Sequence, residues 1–232
     1  MKFALIGHPV EHSFSAQYLN SRFKSEGIDA HYELIDLPDI SEFQTLIKSG
    51  KYNGFNVTIP HKRAIIPYLD SLSSEATAIG AVNVIQITNN KLIGHNTDII
   101  GFHETLTPLL KPYHTHAVIL GTGGASQAVQ YVLHKLNIPF RLVTHKELDT
   151  NTITQLAPII INTTPLGMHP NTDTAPNIDY TQLTDKHLIY DLVYNPIETR
   201  FLQLAKQQGA TTQNGLAMLH RQADAALKIW LK

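Results

Sequence analysis

Ala117-Val118-Ile119-Leu120-Gly121-Thr122-Gly123-Gly124-Ala125-Ser126 sets an apolar run, a glycine turn and the small residues of a helix start in direct succession. Four apolar residues read as a buried strand, and Ala125 to Leu136 carries a helical pattern. A strand, a glycine turn and a helix start are the context a dinucleotide-binding turn requires. Glycines let the backbone approach a pyrophosphate, and the unpaired amides at the helix N-terminus stabilise its charge. Gly121, Thr122, Gly123, Gly124 and Ala125 are therefore candidate cofactor-binding residues, with a purely structural tight turn as the alternative.

Downstream, Phe140 to Thr144, Ile159 to Asn162, Leu188 to Val193 and Ala210 to Gln213 read as strands, with a helix near Glu198 to Gln208. This alternation predicts a doubly wound, Rossmann-type nucleotide sheet. The strand after the glycine turn ends in Thr144-His145-Lys146, where an NAD-binding fold usually presents an acid to the ribose. Basic groups there suit a 2′-phosphate, so NADP is the expected cofactor, and a solvated loop is the alternative reading. Residues 145 to 157 leave room for one short crossover, which predicts a sheet trimmed of one edge strand.

Upstream, Lys2 to Gly7, His31 to Leu37 and Asn53 to Thr58 read as strands alternating with helices at about Ser15 to Gly27 and Ser41 to Ser49. That pattern is α/β with a mostly parallel sheet. Ala64 to Ile79 reads as mostly helical, Val82 to Thr88 and Lys91 to His95 as two strands about a turn, and Ile99 to Leu110 as a helix leading away. The last segment, Gly215 to Trp230, has Leu216, Leu219, Ala223, Ala226, Leu227 and Trp230 at helical spacing. Its apolar stripe needs a partner and is expected to pack back on the first domain. The expected division is a substrate-binding and catalytic domain of residues 1 to 100, completed by 214 to 232, and a dinucleotide domain of residues 101 to 213.

The composition narrows the class of ligand. A chain of 232 residues that is 43% hydrophobic and 16% charged, with a formal charge of -1, is ordinary globular material without a basic patch for nucleic acid or anionic membrane. A small-molecule substrate is the default. The absence of cysteine removes disulfides, thiolate zinc sites and cysteine nucleophiles. Thirteen histidines invite a metal reading, but His8 with His12 and His114 with His116 lack a recognised ligand spacing, so no metal is expected. The short apolar run in Met1 to Pro9 is wrongly flanked for a signal peptide, and nothing approaches a span of about 20 apolar residues. A cytoplasmic protein, monomeric or homodimeric, is expected.

Chemistry is concentrated in Gly54-Phe55-Asn56-Val57-Thr58-Ile59-Pro60-His61-Lys62. Pro60 stops the strand and suits the first position of a following helix, which sets Lys62 at a strand-to-helix corner. A lysine so placed is a candidate proton donor once burial or a neighbour adjusts it, although an isolated lysine is ordinarily a solvated surface residue. Ser13-Phe14-Ser15, Asn83, and Asn96-Thr97-Asp98 also fall at strand ends or helix starts. Taken singly, the serines and Asp98 read as helix caps and the asparagines as turn residues. In an open parallel sheet, however, ligands bind beyond the carboxyl ends of the strands, so separate clusters can line one crevice.

Together these segments resemble the shikimate dehydrogenase family over nearly the whole chain. The matching segments are Gly7-His8-Pro9, His12-Ser13-Phe14-Ser15, Gly54 to Lys62, Gly80-Ala81-Val82-Asn83, Asn96-Thr97-Asp98 with Gly101, Gly121 to Ala125, Asn162 to Met168, Tyr190 to Pro196, and Asn214-Gly215-Leu216 with Gln222. The resemblance implies NADP-dependent interconversion of 3-dehydroshikimate and shikimate, with Lys62 and Asp98 as the catalytic pair. It implies that Ser13 and Ser15 hold the substrate carboxylate. Thr58, Asn83 and Gln222 would join Asp98 around the ring hydroxyls, and Tyr194 would take a further substrate-side position. On the cofactor side it implies Gly121 to Ala125, Thr144, His145, Lys146 and Gly215.

Ala16 and Leu19 stand where the family usually has proline and histidine, and Thr144-His145-Lys146 replaces the usual Asn-Arg-Thr, so the arginine clamp is missing. Two other readings compete with this one: a quinate/shikimate dehydrogenase using NAD, and a non-catalytic small-molecule sensor on the same fold. A sensor has no need of both Lys62 and Asp98.

Overall fold

The computed structural model describes residues 1–144 and 157–232. Its backbone is α/β throughout, and contacts gather it into two compact units: Met1–Ile100 with His220–Lys232, and Gly101–Leu219.

The first unit is built on β1 (Lys2–Gly7), whose apolar residues are buried on both faces. Alternation along the strand sends Phe3 and Leu5 to one side and Ala4 and Ile6 to the other. Parallel neighbours β2 (His31–Asp36) and β3 (Gly54–Val57) flank it. A short β4 (Ser71–Leu72), β5 (Val84–Thr88) and β6 (Lys91–His95) complete a six-stranded sheet of order β2-β1-β3-β5-β6-β4. Its β3/β5 and β5/β6 ladders are antiparallel, and the other three are parallel.

Helix α1 (Ser15–Ser25) covers one face through Leu19 and Phe23. On the other face α2 (Phe43–Lys48) contributes Phe43, which packs edge-on against Phe55. Each such large apolar side chain, taken fully out of water, contributes about 1.5–3 kcal/mol.

Residues 64–79 depart from the mostly helical expectation. A run of turns follows Thr58, with His61 N–H donating to Thr58 O and Ile65 N–H to His61 O, and ends in a single 3₁₀ turn at Ile66–Tyr68. Pro60 therefore does not open an α-helix. Pro67 lacks the N–H that a continuing helix needs. The chain is then drawn onto the sheet instead, as Asp70 exchanges hydrogen bonds with Leu92. Within this stretch only α3 (Ser74–Ile79) is α-helical, started by Ser73 Oγ accepting from Ala76 N–H and stopped by Gly80 at φ 67.

Helix α4 (Asp98–Leu106) leads from the first unit into the second. There β7 (Ala117–Leu120), β8 (Phe140–Val143), β9 (Ile159–Asn162), β10 (Leu188–Asp191) and β11 (Thr211–Gln213) form an all-parallel sheet of order β11-β10-β9-β7-β8. The strands β7, β9 and β10 are buried along their full length, as strands covered on both faces must be. Helix α5 (Gly124–Lys135) buries Ala128, Val129, Val132 and Leu133. Helix α6 (Arg200–Gln207) buries Phe201, Leu202 and Ala205. The order reverses at β7/β9, the switch point at which doubly wound sheets bind ligands.

The last helix, α7 (Leu216–Trp230), does return to the first sheet. Ala223 and Leu227 join the core of α1 and β1, and Trp230 stacks on Phe3 with ring centroids 4.5 Å apart. Its indole N–H donates to Ile85 O at 3.0 Å. A Cβ on Gly54 would stand 2.5 Å from that nitrogen, so β3 begins with the one residue that admits the indole. Among the described residues, no helix is long and apolar enough to cross a membrane.

Candidate active site

In the first unit the chain leaving β3 carries Thr58 and, four residues on, Lys62. Lys62 Nζ lies 2.6 Å from Asp98 Oδ2 in a pair whose side chains are only 13% and 7% exposed. Asp98 is the first residue of α4, but its carboxylate does more than cap a helix. Oδ2 takes Lys62 and Oδ1 accepts from Asn83 Nδ2 at 2.9 Å. A buried ion pair needs such extra hydrogen bonds to offset its lost hydration.

Asn83 organises this group. Its backbone is fixed in the sheet, with its N–H donating to His95 O and its carbonyl accepting from Val57 N–H. Its Oδ1 accepts from Thr97 N–H at 2.7 Å, and its Nδ2 also reaches Gln222 Oε1 on α7 at 3.2 Å. Lys62, Asn83, Asp98 and Gln222, four of the residues anticipated from sequence, thus form one hydrogen-bonded cluster. The arrangement offers an ammonium held beside amides and a carboxylate, which suits a group developing negative charge on oxygen and in need of a proton.

Ser13, Ser15 and Thr58 also follow the carboxyl ends of β1 and β3. Ser13 Oγ accepts from Ser15 N–H at 3.3 Å, and Ser15 is buried as the first residue of α1. Phe14, at the N-cap, makes no side-chain cap bond, and the first turn has no acid, so this helix start suits an anion. Thr58 N–H donates to Ile6 O. Its methyl group lies where a Cβ on Gly7 would be, at 2.3 Å, so glycine there lets the two strand ends close together.

In the second unit the glycine turn is open to a charged ligand. Gly121 has φ 105, and a Cβ on it would meet Thr163 Oγ1 at 2.7 Å. Gly123 has only open space about its missing Cβ. It is the N-cap of α5, with no side-chain cap bond and no acid in the first turn, a donor set that fits a pyrophosphate.

Thr144 follows β8 and is half-buried, whereas His145 and Lys146 lie outside the described residues. Tyr194, half-buried, follows β10. Gly215 N–H donates to Val193 O, and a Cβ on Gly215 would stand 2.0 Å from Leu192 O, so no larger residue fits.

Asp191, the last residue of β10, is fully buried. It accepts from Asn162 Nδ2 at 2.9 Å, Val193 N–H at 3.0 Å and Thr199 Oγ1 at 2.6 Å. Desolvation outweighs these bonds and pushes its carboxyl up to about 6.

The sequence reading passed over Tyr32, a tyrosine in a strand and outwardly a core residue. Its hydroxyl donates to Asn56 Oδ1 at 2.7 Å, directly beneath the cluster. The signal in the sequence is Asn56 itself, a polar amide between Phe55 and Val57 in a β-prone run.

A two-unit α/β chain with an anion-ready glycine turn on a doubly wound sheet and a buried lysine–carboxylate pair is organised as a dinucleotide-dependent oxidoreductase. The family model for the shikimate dehydrogenase substrate binding domain matches residues 5–85. Shikimate dehydrogenase (NADP(+)) of Staphylococcus haemolyticus is 38% identical over 249 aligned positions that take in 99% of this chain and 92% of that protein. That alignment is longer than this chain of 232 residues, so the relative has positions without a counterpart here.

Two solved structures agree in fold. A shikimate dehydrogenase in complex with NADP+ has TM-score 0.83 and 37% identity, covering 99% of this chain and 89% of that one. The Thermus thermophilus enzyme in complex with NADP(H) and shikimate has TM-score 0.87 and 31% identity, covering 99% and 93%. The chain belongs to the shikimate dehydrogenase family.

Proposed function

We propose that this protein catalyses the reversible NADPH-dependent reduction of 3-dehydroshikimate to shikimate, a step of aromatic amino-acid biosynthesis. The observation that carries this reading is the Lys62–Asp98–Asn83–Gln222 cluster in a chain alignable end to end with NADP(+)-dependent relatives. The dihydronicotinamide, when bound, supplies a hydride to the carbonyl carbon. Lys62 faces the carbonyl oxygen, stabilises the charge that grows there and delivers the proton that completes the alcohol. Asp98 holds the ammonium in place and accepts from a ring hydroxyl, with Thr58, Asn83 and Gln222 matching the other hydroxyls. Ser13, Ser15 and the start of α1 hold the substrate carboxylate, and Tyr194 belongs to the substrate side.

The residues Gly121 to Ala125 receive the pyrophosphate of NADP. On the cofactor side, Thr144, with His145 and Lys146 on the strength of sequence alone, is assigned to the adenosine phosphate, and Gly215 to close backbone approach to the cofactor. The test is an oxidation assay crossing shikimate and quinate with NADP and NAD. Turnover of shikimate with NADP, well above the other three combinations, is expected. Equal or faster quinate oxidation with NAD would favour the quinate/shikimate reading, and no turnover of any pair would favour a sensor.

A further inference from the structure

A chain of buried hydrogen bonds runs from the far edge of the first sheet to Lys62, and its outermost member is Tyr32. On β2, with β1 between it and β3, Tyr32 shares a sheet face with Phe3, Leu5 and Asn56, as the registers Phe3↔Tyr32 and Leu5↔Asn56 require. Its ring is 1% exposed and packs beside Trp230, centroids 6.2 Å apart. Asn20 clamps its backbone on both sides: Tyr32 N–H donates to Asn20 Oδ1 at 2.9 Å, and Asn20 Nδ2 donates to Tyr32 O at 2.8 Å. The phenol is thereby aimed across β1 at Asn56.

The Asn56 amide has two possible orientations, and its surroundings select one. Asn83 O can only accept, so Asn56 must turn Nδ2 toward it, at 3.0 Å, leaving Oδ1 to receive the Tyr32 hydroxyl at 2.7 Å. That carbonyl belongs to the residue whose side chain holds Asp98, which in turn holds Lys62. Tyr32, Asn56, Asn83 and Asp98 are all at least 94% buried, where no water replaces a lost partner and each bond fixes the next.

We infer that Tyr32 is a positioning residue for the reaction, setting the geometry of Lys62 and Asp98 through Asn56 and Asn83 without touching substrate. A misplacement of a fraction of an ångström at a proton donor lowers the rate of the chemical step while the hydroxyl and carboxylate contacts that bind substrate persist. This inference rests on the proposed function, and the two can fail separately.

The experiment compares wild type, Tyr32→Phe and Tyr18→Phe in steady-state shikimate oxidation with NADP. Tyr18 donates its hydroxyl to the Asp224 carboxylate at 2.8 Å, outside the chain of bonds to Lys62, and serves as the control loss of a tyrosine hydroxyl hydrogen bond. Tyr32→Phe is expected to lower kcat about 10-fold with KM for shikimate within about 3-fold, and Tyr18→Phe to keep wild-type kcat. A wild-type kcat in folded Tyr32→Phe, or an equal fall in Tyr18→Phe, overturns the inference. Absence of shikimate turnover in wild type would instead overturn the proposed function. Should Tyr32→Phe not fold, Asn20→Ser, which loosens only the backbone clamp, carries the same expectation and the same overturning result.

Discussion

Lys62 Nζ and Asp98 Oδ2 stand 2.6 Å apart although 36 residues separate them in sequence. The sheet brings them together, with Val82 N–H donating to Lys62 O and Asn83 N–H to His95 O on either side of the Asn83 side chain. The ammonium is thus carried on backbone that is itself hydrogen-bonded.

Replacing Lys62 by Ala should lower kcat by at least about 100-fold while KM for shikimate changes much less, because its contribution grows mainly in the transition state. Steady-state kinetics with saturating NADP checks this. Near-normal turnover would remove Lys62 from the chemistry.

Two glycines of the same turn should separate stability from binding. Gly121→Ala forces a side chain into a positive φ and against Thr163, so thermal stability should fall by roughly 1–3 kcal/mol. Gly123→Ala has ordinary φ and open space, so the fold should tolerate it, yet the new methyl stands where a phosphate would approach. Its melting temperature should stay near wild type while NADPH affinity drops about 10-fold or more, as read by fluorescence titration. Unchanged affinity would move the pyrophosphate away from this turn.

Asp191 makes a pH prediction with a definite sign. Its folded carboxyl titrates at about 6, above the ordinary 3.8, so between those values the native state binds more protons than the unfolded chain. Stability contributed by this group therefore rises as pH falls through about 6 toward 3.8, and is lacking above 6. The difference is on the order of 3 kcal/mol. Urea unfolding of wild type and Asp191→Asn at pH 7 and at about pH 4.5 should show the wild type gaining on the variant at the lower pH. Parallel behaviour would mean that Asp191 titrates like an ordinary carboxylate.

Apolar runs and glycine turns made much of this architecture legible. The strands β1, β7, β9 and β10 are mostly apolar segments, and Gly121 to Gly123 form the turn that opens α5. The stretch 64–79 has an apolar spacing that imitates a helix, while the deciding feature, the exchange between Asp70 and Leu92, is a contact made across 22 residues. The polar clusters were visible as groups, but their assembly depends on sheet order, which no local pattern contains. Tyr32 was invisible for the same reason: its role follows from β1 lying between β2 and β3. The assignment of His145 and Lys146 to the cofactor rests on sequence, since those residues lie outside the described ones.

The return of α7 has a consequence for the order in which the molecule is made. Leu216–Leu219 of this helix belong to the second unit and His220–Lys232 to the first. A ribosome therefore delivers every strand of the first sheet early, yet the face formed by Phe3, Leu5 and Tyr32 waits for Ala223, Leu227 and Trp230 until more than a hundred further residues have emerged. During that interval the second unit can form its own sheet, while the first has α1 on this face but lacks the part of the cover that Ala223, Leu227 and Trp230 supply beside Gly54. Vectorial synthesis thus makes the last turns of the chain the closing step for its first strand, and chaperone occupancy during translation should concentrate on that waiting face.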